Sequence, residues 1–230
     1  MSSARRIAII AAMENEIAPL LNRWRRQGKE VQRKSISVLD GYVCDGTRLI
    51  IGGIGRKRAA VAARVVIEYH EPELIISGGL AGALRSGLDA GAIVRPKTIY
   101  DDSNGEKYTS DSRASGGLVT VASVLSREDK EKLAQKYAAD AVDMEAAVVA
   151  EIARSAGIPF VAVKAISDAL DFPMPPLGRF IDADGRVNLL KLIGFAAFRP
   201  QIWGALNALR RNSQLAAEAL AVELDRSISE

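Results

Sequence analysis

Residues 7–26, IAIIAAMENEIAPLLNRWRR, decide how the chain begins to fold. Ile7 to Ala12 is apolar without interruption, which is typical of a strand buried on both faces. From Glu14 to Arg26 the apolar residues recur at helical spacing. The stretch therefore predicts a strand, a turn and a helix, the unit that α/β proteins repeat.

The rest of the chain continues this alternation. Strands are predicted for residues 73–77, 92–100, 117–122 and 159–166, and helices for residues 58–70, 126–137 and 143–156. Residues 35–54 predict a small group of short antiparallel strands with hairpin turns at Asp40-Gly41 and Asp45-Gly46. The polar residues 101–117 predict a mobile loop with little that can pack. We expect a single three-layer α/β domain, with a central, mixed and mainly parallel twisted sheet flanked by helices.

The residues after the last predicted strand form a separate group. Residues 168–186 are rich in proline and glycine yet hold large apolar side chains, which predicts a lid or a partner-contact loop. Helices are then predicted for 187–198 and 200–224, as a helical extension over about 187–224 of one domain spanning 1–230. Their apolar and basic side chains would suit peripheral contact with an anionic membrane. Packing on the sheet or at a subunit interface is the favoured alternative.

The amino-acid composition of the chain argues against several classes of function. The 230-residue chain has 31 basic and 28 acidic residues and 5% aromatics, so it lacks the pattern of a nucleic-acid-binding protein. Its one cysteine, Cys44, cannot form an internal disulfide, and its one histidine, His70, leaves no Cys/His cluster for a metal. The N-terminus has neither the long apolar core nor the cleavage site of a signal peptide. We expect a cytoplasmic protein with no metal site.

Three carboxylates follow or adjoin predicted strands and are the candidate catalytic groups. Glu16 follows the first strand, Glu145 lies in the first turn of a helix, and Asp168 comes directly after the last strand. Open parallel sheets bind ligands at the carboxyl ends of their strands. Glycine turns predicted at 52–55 and 78–79 would let a sugar or an anion approach the backbone closely. Each carboxylate also has a structural interpretation, as a residue matched to a helix dipole or a turn.

Five segments form an ordered set along the chain. They are IAIIAAMENEIAPLL (7–21), GGIGRKRAA (52–60), ELIISGGLAGAL (73–84), AVDMEAAVVAEIA (141–153) and PFVAVKAISDA (159–169). In this order and spacing they resemble the nucleoside phosphorylase superfamily, nearest its methylthioadenosine/S-adenosylhomocysteine nucleosidase branch. Residues 118–147 and 182–206 are more similar to another branch, the hopanoid-associated phosphorylases, which release adenine from adenosylhopane. The resemblance implies an enzyme that cleaves the N-glycosidic bond of an adenine-type nucleoside.

The resemblance implies a role for each carboxylate. Asp168 matches the acid that assists protonation at the purine N7, Glu145 matches the group that holds the ribose hydroxyls, and Glu16 matches the base that activates water. Further substrate-binding residues are expected at Met13, Gly79, Leu80, Val124, Leu125, Met144 and Ser167. The expected partners are a purine nucleoside and, in a homodimer or higher homo-oligomer, other copies of the chain. No cofactor is expected, except inorganic phosphate if it serves as a co-substrate.

One departure from the family leaves the attacking group open. Relatives carry a hydroxyl residue where this chain has Leu80, which removes a donor for either phosphate or water. Glu16 favours water because a carboxylate beside a phosphate would repel it, whereas Gly55 and Arg56 offer an alternative phosphate site. We expect hydrolysis, with phosphorolysis and non-catalytic binding of a nucleoside or lipid conjugate as alternatives. A helix that nucleosidases carry between the strands at 92 and 117 is missing, which suggests a larger 5′ substituent.

Overall fold

The computed structural model describes residues 5–110, 114–180, 191, 194–195 and 199–229. The strands are β1 (Ile7–Ala11), β2 (Gln32–Arg33), β3 (Gly41–Cys44), β4 (Thr47–Ile51), β5 (Leu74–Ala83), β6 (Ile93–Val94), β7 (Thr98–Asp101), β8 (Lys107–Thr109), β9 (Gly117–Thr120), β10 (Ala141–Asp143) and β11 (Phe160–Asp168). The helices are α1 (Glu14–Arg26), α2 (Arg56–His70), α3 (Arg127–Lys136), α4 (Ala146–Ser155) and α5 (Trp203–Ser229), with 3₁₀ turns at Leu177–Phe180 and Pro200–Ile202.

In the described residues, these strands form one mixed sheet around β5. Its order is β2-β3-β4-β1-β5-β10-β9-β7-β8, and β11 pairs with β5 and β6. The pairs β1–β4, β1–β5, β5–β11, β9–β10 and β7–β9 are parallel. The short edge strands and hairpins pair antiparallel, as does β10 with the carboxyl end of β5. The predicted mixed sheet with a mainly parallel centre is confirmed.

Helices cover both faces of the sheet, which gives the three predicted layers. α1 and α5 pack on one face, and α2 and α4 pack on the other. Along β1, Ile7 and Ile9 join the core beneath α1 and α5, whereas Ala8 and Ile10 join the core beneath α2 and α4. All four side chains are buried, as the continuous apolar run predicts for a strand covered on both faces.

Only one of the two predicted hairpin turns exists. Asp45 and Gly46 connect β3 to β4 with φ angles of 46° and 79°, and two positive φ values in a two-residue loop match the turn that Asp-Gly favours. Asp40-Gly41 is not a turn, because Gly41 is the first residue of β3. A Cβ on Gly41 would collide with the backbone oxygen of Leu49 on β4, so this glycine permits close strand pairing.

Gly78 and Gly79 lie inside β5, so the glycine turn predicted there is wrong. A Cβ on Gly78 would lie 3.2 Å from the Leu224 side chain of α5. A Cβ on Gly79 would lie 3.5 Å from both the Glu16 carboxylate and the Lys164 ammonium. The two glycines therefore allow a helix and two charged side chains to approach the strand closely, rather than turning the chain.

The segment predicted as a mobile loop over 101–117 contains a strand. β8 pairs antiparallel with β7, and its Tyr108 is buried, with the Arg154 guanidinium 4.6 Å from the ring centre. The prediction missed this strand because one packing residue among polar ones gives no periodic signal. The described residues between β7 and β9 include no helix, and residues 111–113 lie outside the described part.

α3 begins as predicted, whereas α4 begins later. The Ser126 hydroxyl accepts the backbone N–H of Asp129 at 3.2 Å and caps α3. The sequence predicts a helix from residue 143, but residues 141–143 form the short strand β10 between β5 and β9. The Asp143 carboxylate accepts the N–H of Ala146, at 2.9 Å, where α4 begins. Tertiary pairing of β10 thus delays the helix by three residues.

The C-terminal helix α5 belongs to the core of the molecule. Its buried residues Ala216, Leu220, Ala221 and Leu224 pack with α1 and β11. α5 begins at Trp203 and continues to Ser229, beyond the predicted end at residue 224. Of the predicted helix 187–198, only residues 191, 194 and 195 are described, so that helix lies largely outside the described part.

A helix that spans a bilayer needs about 20 consecutive, predominantly apolar residues. Within the described residues, no helix is long and apolar enough to cross a membrane. Peripheral membrane contact by residues 187–212 stays a prediction.

Candidate active site

A cavity of about 280 Å³ lies at the carboxyl ends of β1, β5 and β11. The predicted residues that line it are Met13, Glu16, Leu80, Val124, Leu125, Met144, Glu145, Ser167 and Asp168. Gly79 lies behind this wall, in a small adjoining cavity that it shares with Glu16, Glu145 and Lys164. The structure therefore brings the three predicted carboxylates, which are far apart in the chain, to one site.

Glu16 is held at the start of α1 with its carboxylate turned inward. Its Oε2 accepts the backbone N–H groups of Ala12 and Met13 at 3.0 and 3.1 Å, and Leu80 N lies 3.5 Å from Oε1. The Glu16 side chain is buried. A glutamate that only complements the helix dipole would instead lie exposed at the start of the helix. Burial raises the pKa of Glu16, although these hydrogen bonds and the charge of Lys164 act in the opposite direction. A raised pKa suits a carboxylate that accepts a proton near neutral pH.

Glu145 lies directly before α4 and joins the glycine-rich turn to the cavity. Its Oε1 accepts the Gly55 N–H at 2.7 Å, and its Oε2 accepts the Met144 N–H at 3.3 Å. Gly55 has a φ of 89°, a conformation that residues with a side chain rarely adopt. Burial, and then the charge of Asp143, raise the pKa of Glu145 to about 7. Near neutral pH the group can therefore accept or donate a hydrogen bond to a sugar hydroxyl.

The raised pKa of Glu145 predicts a pH-dependent stability that Glu145→Gln removes. The folded carboxyl keeps its proton to a higher pH than the unfolded one, so native stability falls as the pH rises from 4.5 to about 7. At about 1.4 kcal/mol per pH unit, the loss reaches up to about 3 kcal/mol. Urea unfolding of both proteins at acid and alkaline pH measures it. Equal losses in the two proteins would contradict the assignment.

A buried lysine that the sequence analysis did not select connects these carboxylates. Lys164 of β11 is 2% exposed, and its Nζ lies 2.8 Å from Oδ2 of Asp143. Asp143 also accepts the Thr120 hydroxyl at 2.6 Å. Burial alone would lower the pKa of Lys164, but the charges of Asp143 and Glu145 raise it. The sequence carried a signal for this residue, because it is the one lysine in an otherwise apolar strand, PFVAVKAI.

Asp168 ends β11 at an irregularity in the sheet. A register shift between Ile166 and Asp168 leaves Ser167 as an extra residue opposite β5, and such a bulge redirects side chains. The Ser167 hydroxyl donates to Oδ1 of Asp168 at 2.7 Å. The ammonium of Lys130, from α3, contacts Oδ2. No sequence pattern distinguishes Lys130, which stands among charged residues in REDKEKLAQK.

Arg56, which was predicted as an alternative phosphate ligand, does not line the cavity. Its guanidinium forms an ion pair at 2.7 Å with Asp101, whose side chain is fully buried. Burial would raise the pKa of Asp101, but hydrogen bonds from Ser103 and the contact with Arg56 lower it. Arg56 therefore neutralises a buried carboxylate, and the Gly55 N–H donates to Glu145.

Two charged clusters thus lie at different points along β5. Gly79 adjoins Glu16 and Lys164, and Gly82 adjoins Lys130 and Asp168. Strand geometry separates these glycines by about 10 Å. One cluster can deliver a proton to a leaving group, while the other can hold hydroxyls and a nucleophile, as N-glycosidic cleavage requires. Within the described residues, no group of three or more metal-ligating side chains could hold a metal ion.

Comparison with known proteins gives relatives over most of the chain. The family model described as the phosphorylase superfamily matches residues 6–118 and 114–188. A relative from Actinobacillus succinogenes, named 5′-methylthioadenosine/S-adenosylhomocysteine nucleosidase, is 30% identical over 204 residues, which cover 72% of this chain and 86% of the relative. A relative of the same name from Listeria monocytogenes is 28% identical over 211 residues, covering 70% and 85%.

Solved structures share the fold at lower sequence identity. The Helicobacter pylori 5′-methylthioadenosine/S-adenosyl homocysteine nucleosidase has a TM-score of 0.69 at 17% identity, covering 98% of this chain and 100% of its own. The futalosine hydrolase of Helicobacter pylori has a TM-score of 0.68 at 19% identity, covering 97% and 98%. Since the family model matches well over half of the sequence, the chain belongs to the phosphorylase superfamily.

Proposed function

We propose that this protein hydrolyses the N-glycosidic bond of an adenine-type nucleoside and releases the free base. The observation that carries the proposal is the convergence of Glu16, Glu145 and Asp168 on one cavity. The names of the Actinobacillus succinogenes and Listeria monocytogenes relatives support the same reaction class. The proposed reaction takes place in the cytoplasm and requires no cofactor.

Each carboxylate has one task in the proposed reaction. Asp168 delivers a proton to N7 of the purine, so that the base leaves as a neutral molecule. Glu145 holds the ribose hydroxyls, and its charge stabilises the electron-poor sugar that forms as the bond breaks. Glu16 accepts a proton from the water that attacks the anomeric carbon. Met144, which lines the cavity between these groups, packs on the sugar.

Water is the proposed nucleophile because the cations near the cavity already have carboxylate partners. Lys164 pairs with Asp143, Lys130 pairs with Asp168, and Arg56 pairs with Asp101 outside the cavity. A phosphate ion would therefore face Glu16 and Glu145 without a free cation among these three residues, and carboxylates repel it.

The 5′ substituent of the proposed substrate is apolar. Four apolar side chains from the C-terminal part of the chain line one wall of the cavity: Met174, Leu177, Phe180 and Leu209. Apolar side chains in a binding pocket favour an apolar group over a charged or hydroxylated one. A methylthio group or a larger apolar substituent fits this requirement.

We predict that product analysis will show free sugar even when phosphate is abundant. The protein is incubated with methylthioadenosine, adenosine and inosine, each with and without phosphate, and the base and sugar products are quantified. We expect adenine and methylthioribose from methylthioadenosine, at a rate that phosphate does not change. A sugar 1-phosphate that depends on phosphate would identify a phosphorylase. No cleavage of any substrate, with nucleoside binding retained, would identify a non-catalytic member.

We further propose that the protein forms a homodimer or a higher homo-oligomer. α5 exposes three large apolar side chains, Trp203, Leu215 and Val222, and each is more than half exposed in the single chain. Burial of exposed apolar surface favours association between copies. Sedimentation equilibrium distinguishes the proposed assembly from a monomer.

A further inference from the structure

Lys130 occupies an unexpected position for a lysine on a charged helix. α3 carries charged residues at most positions, and its other lysines, Lys132 and Lys136, are well exposed. Lys130 is only 2% exposed and reaches the cavity wall. A lysine is almost never fully buried unless its charge is paired, so its partners indicate what it does.

The partners of Lys130 all belong to the end of β11. Its Nζ contacts Oδ2 of Asp168 and donates to the backbone oxygen of Ala169 at 3.0 Å. The backbone oxygen of Asp168 is 3.4 Å away. With the Ser167 hydroxyl on Oδ1, both carboxylate oxygens of Asp168 have a hydrogen-bond donor. Lys130 and Ser167 therefore hold both oxygens of the Asp168 carboxyl group in place.

The absence of a side chain at Gly82 of β5 leaves space for the Lys130–Asp168 ion pair. A Cβ on Gly82 would lie 2.9 Å from Oδ2 of Asp168 and 3.1 Å from Nζ of Lys130. A side chain at this position of β5 would therefore push the two groups apart. The ion pair of Lys130 and Asp168 thus lies in the cavity wall, where the proposed function requires a proton donor.

We propose that Lys130 stores the proton that Asp168 delivers to the leaving base. The inference rests on the proposed function and adds the source of the proton. An ionised Asp168 has no proton of its own to give, whereas the ammonium touching it has three. Lys130 acts through Asp168 and is in that sense a positioning residue.

The proton transfer balances without any further reactant. An N–H bond of Lys130 breaks as an O–H bond forms on Asp168, and that bond breaks in turn as the purine gains an N7–H bond. The electron pair of the breaking glycosidic bond stays with the base. Lys130 is left as a neutral amine, and it regains a proton from water after the products leave.

The other charged groups near the pair are already matched or lie in solvent. Among the described residues, the other charged side chains that line the cavity are Glu16, Asp143 and Glu145, and these three surround Lys164. The charged side chains outside the cavity are Arg127, Asp129, Glu131 and Asp171. Arg127 and Glu131 pair with each other at 2.9 Å on the exposed side of α3. The acid–base behaviour of Asp168 should therefore respond most strongly to Lys130.

The test is the pH profile of Lys130→Met, measured as kcat/KM for adenine release from methylthioadenosine. Without Lys130, only the protonated fraction of Asp168 can donate, and this fraction falls about tenfold per pH unit above its midpoint. We expect activity within about tenfold of the native enzyme near pH 5.5 and a deficit that grows to about 10²-fold by pH 8. Lys132→Met, on the exposed side of the same helix, should keep the native profile.

Two results would overturn the inference. One is a native profile in Lys130→Met, and the other is a deficit that is the same at every pH, since a purely structural role scales the rate without changing its pH dependence. If Lys130→Met does not fold, Lys130→Gln replaces it, because its amide can donate to Asp168 but does not titrate. Absence of adenine release by the native enzyme would instead refute the proposed function itself.

Discussion

Asp168→Asn is expected to lower the rate of adenine release by about 10²- to 10⁴-fold, the range that general acid catalysis contributes. The amide keeps the shape of the carboxyl group but cannot pass on a proton. The carbonyl oxygens of the side chain and of Ala169 still accept from Lys130, so the variant should fold. Steady-state kinetics at saturating methylthioadenosine and far-UV circular dichroism measure the two effects.

Asp171→Asn is the matched control for this variant. Asp171 is an exposed residue of the same segment and does not line the cavity, so the same chemical change there should leave the rate unaffected. Turnover by Asp168→Asn at the native rate would show that Asp168 is not the acid. An equal fall in both variants would show that the segment, rather than the proton, matters.

Lys164→Met is expected to lower the free energy of unfolding by about 3–5 kcal/mol, as breaking a buried ion pair does. The fully buried Asp143 side chain would lose its cation, and Glu145 and Glu16 would lose an attractive charge. Because the pKa of Lys164 is raised, its stabilising charge is present at every pH below about 10 and is lost only above that value. The deficit should therefore persist across neutral pH and shrink in acid, where the orphaned carboxylates bind protons.

Urea unfolding at several pH values measures this deficit against the Lys132→Met variant. Lys132 is exposed and pairs with Glu128 at 2.7 Å on the surface of α3, where an ion pair contributes at most about 1 kcal/mol. A Lys164→Met deficit as small as that of Lys132→Met would mean that the Asp143 carboxylate is not charged in the native protein.

Most of the fold could be predicted from the sequence, because the patterns that indicate its strands and helices involve residues close together in the chain. The apolar run of β1, the helical spacing of α1 and the Ser126 cap of α3 each depend on neighbouring residues, and the structure confirms all three. Predictions failed where a distant element decides the local geometry. Gly41 and Gly78 resemble turn residues, but each accommodates the close approach of another element, β4 in one case and α5 in the other.

The same distinction holds for the cavity. The positions of Glu16, Glu145 and Asp168 made them candidates, because parallel strands bring their carboxyl ends together, and the ordered family motifs then selected them. Arg56 satisfied the same kind of rule, yet the structure pairs it with Asp101 outside the cavity. No local pattern in the sequence reports which carboxylate a cation will reach.

The sequence by itself determined the layered α/β fold and the three carboxylates, since both follow from periodicity, capping and the order of short motifs. Only the tertiary structure decided which cations lie beside the carboxylates of the cavity. Lys130 reaches Asp168 from α3, and Lys164 reaches Asp143 from β11, through contacts between residues far apart in the chain. The protonation of a buried group depends on the charges and hydrogen bonds packed around it, and these exist only after the chain has folded.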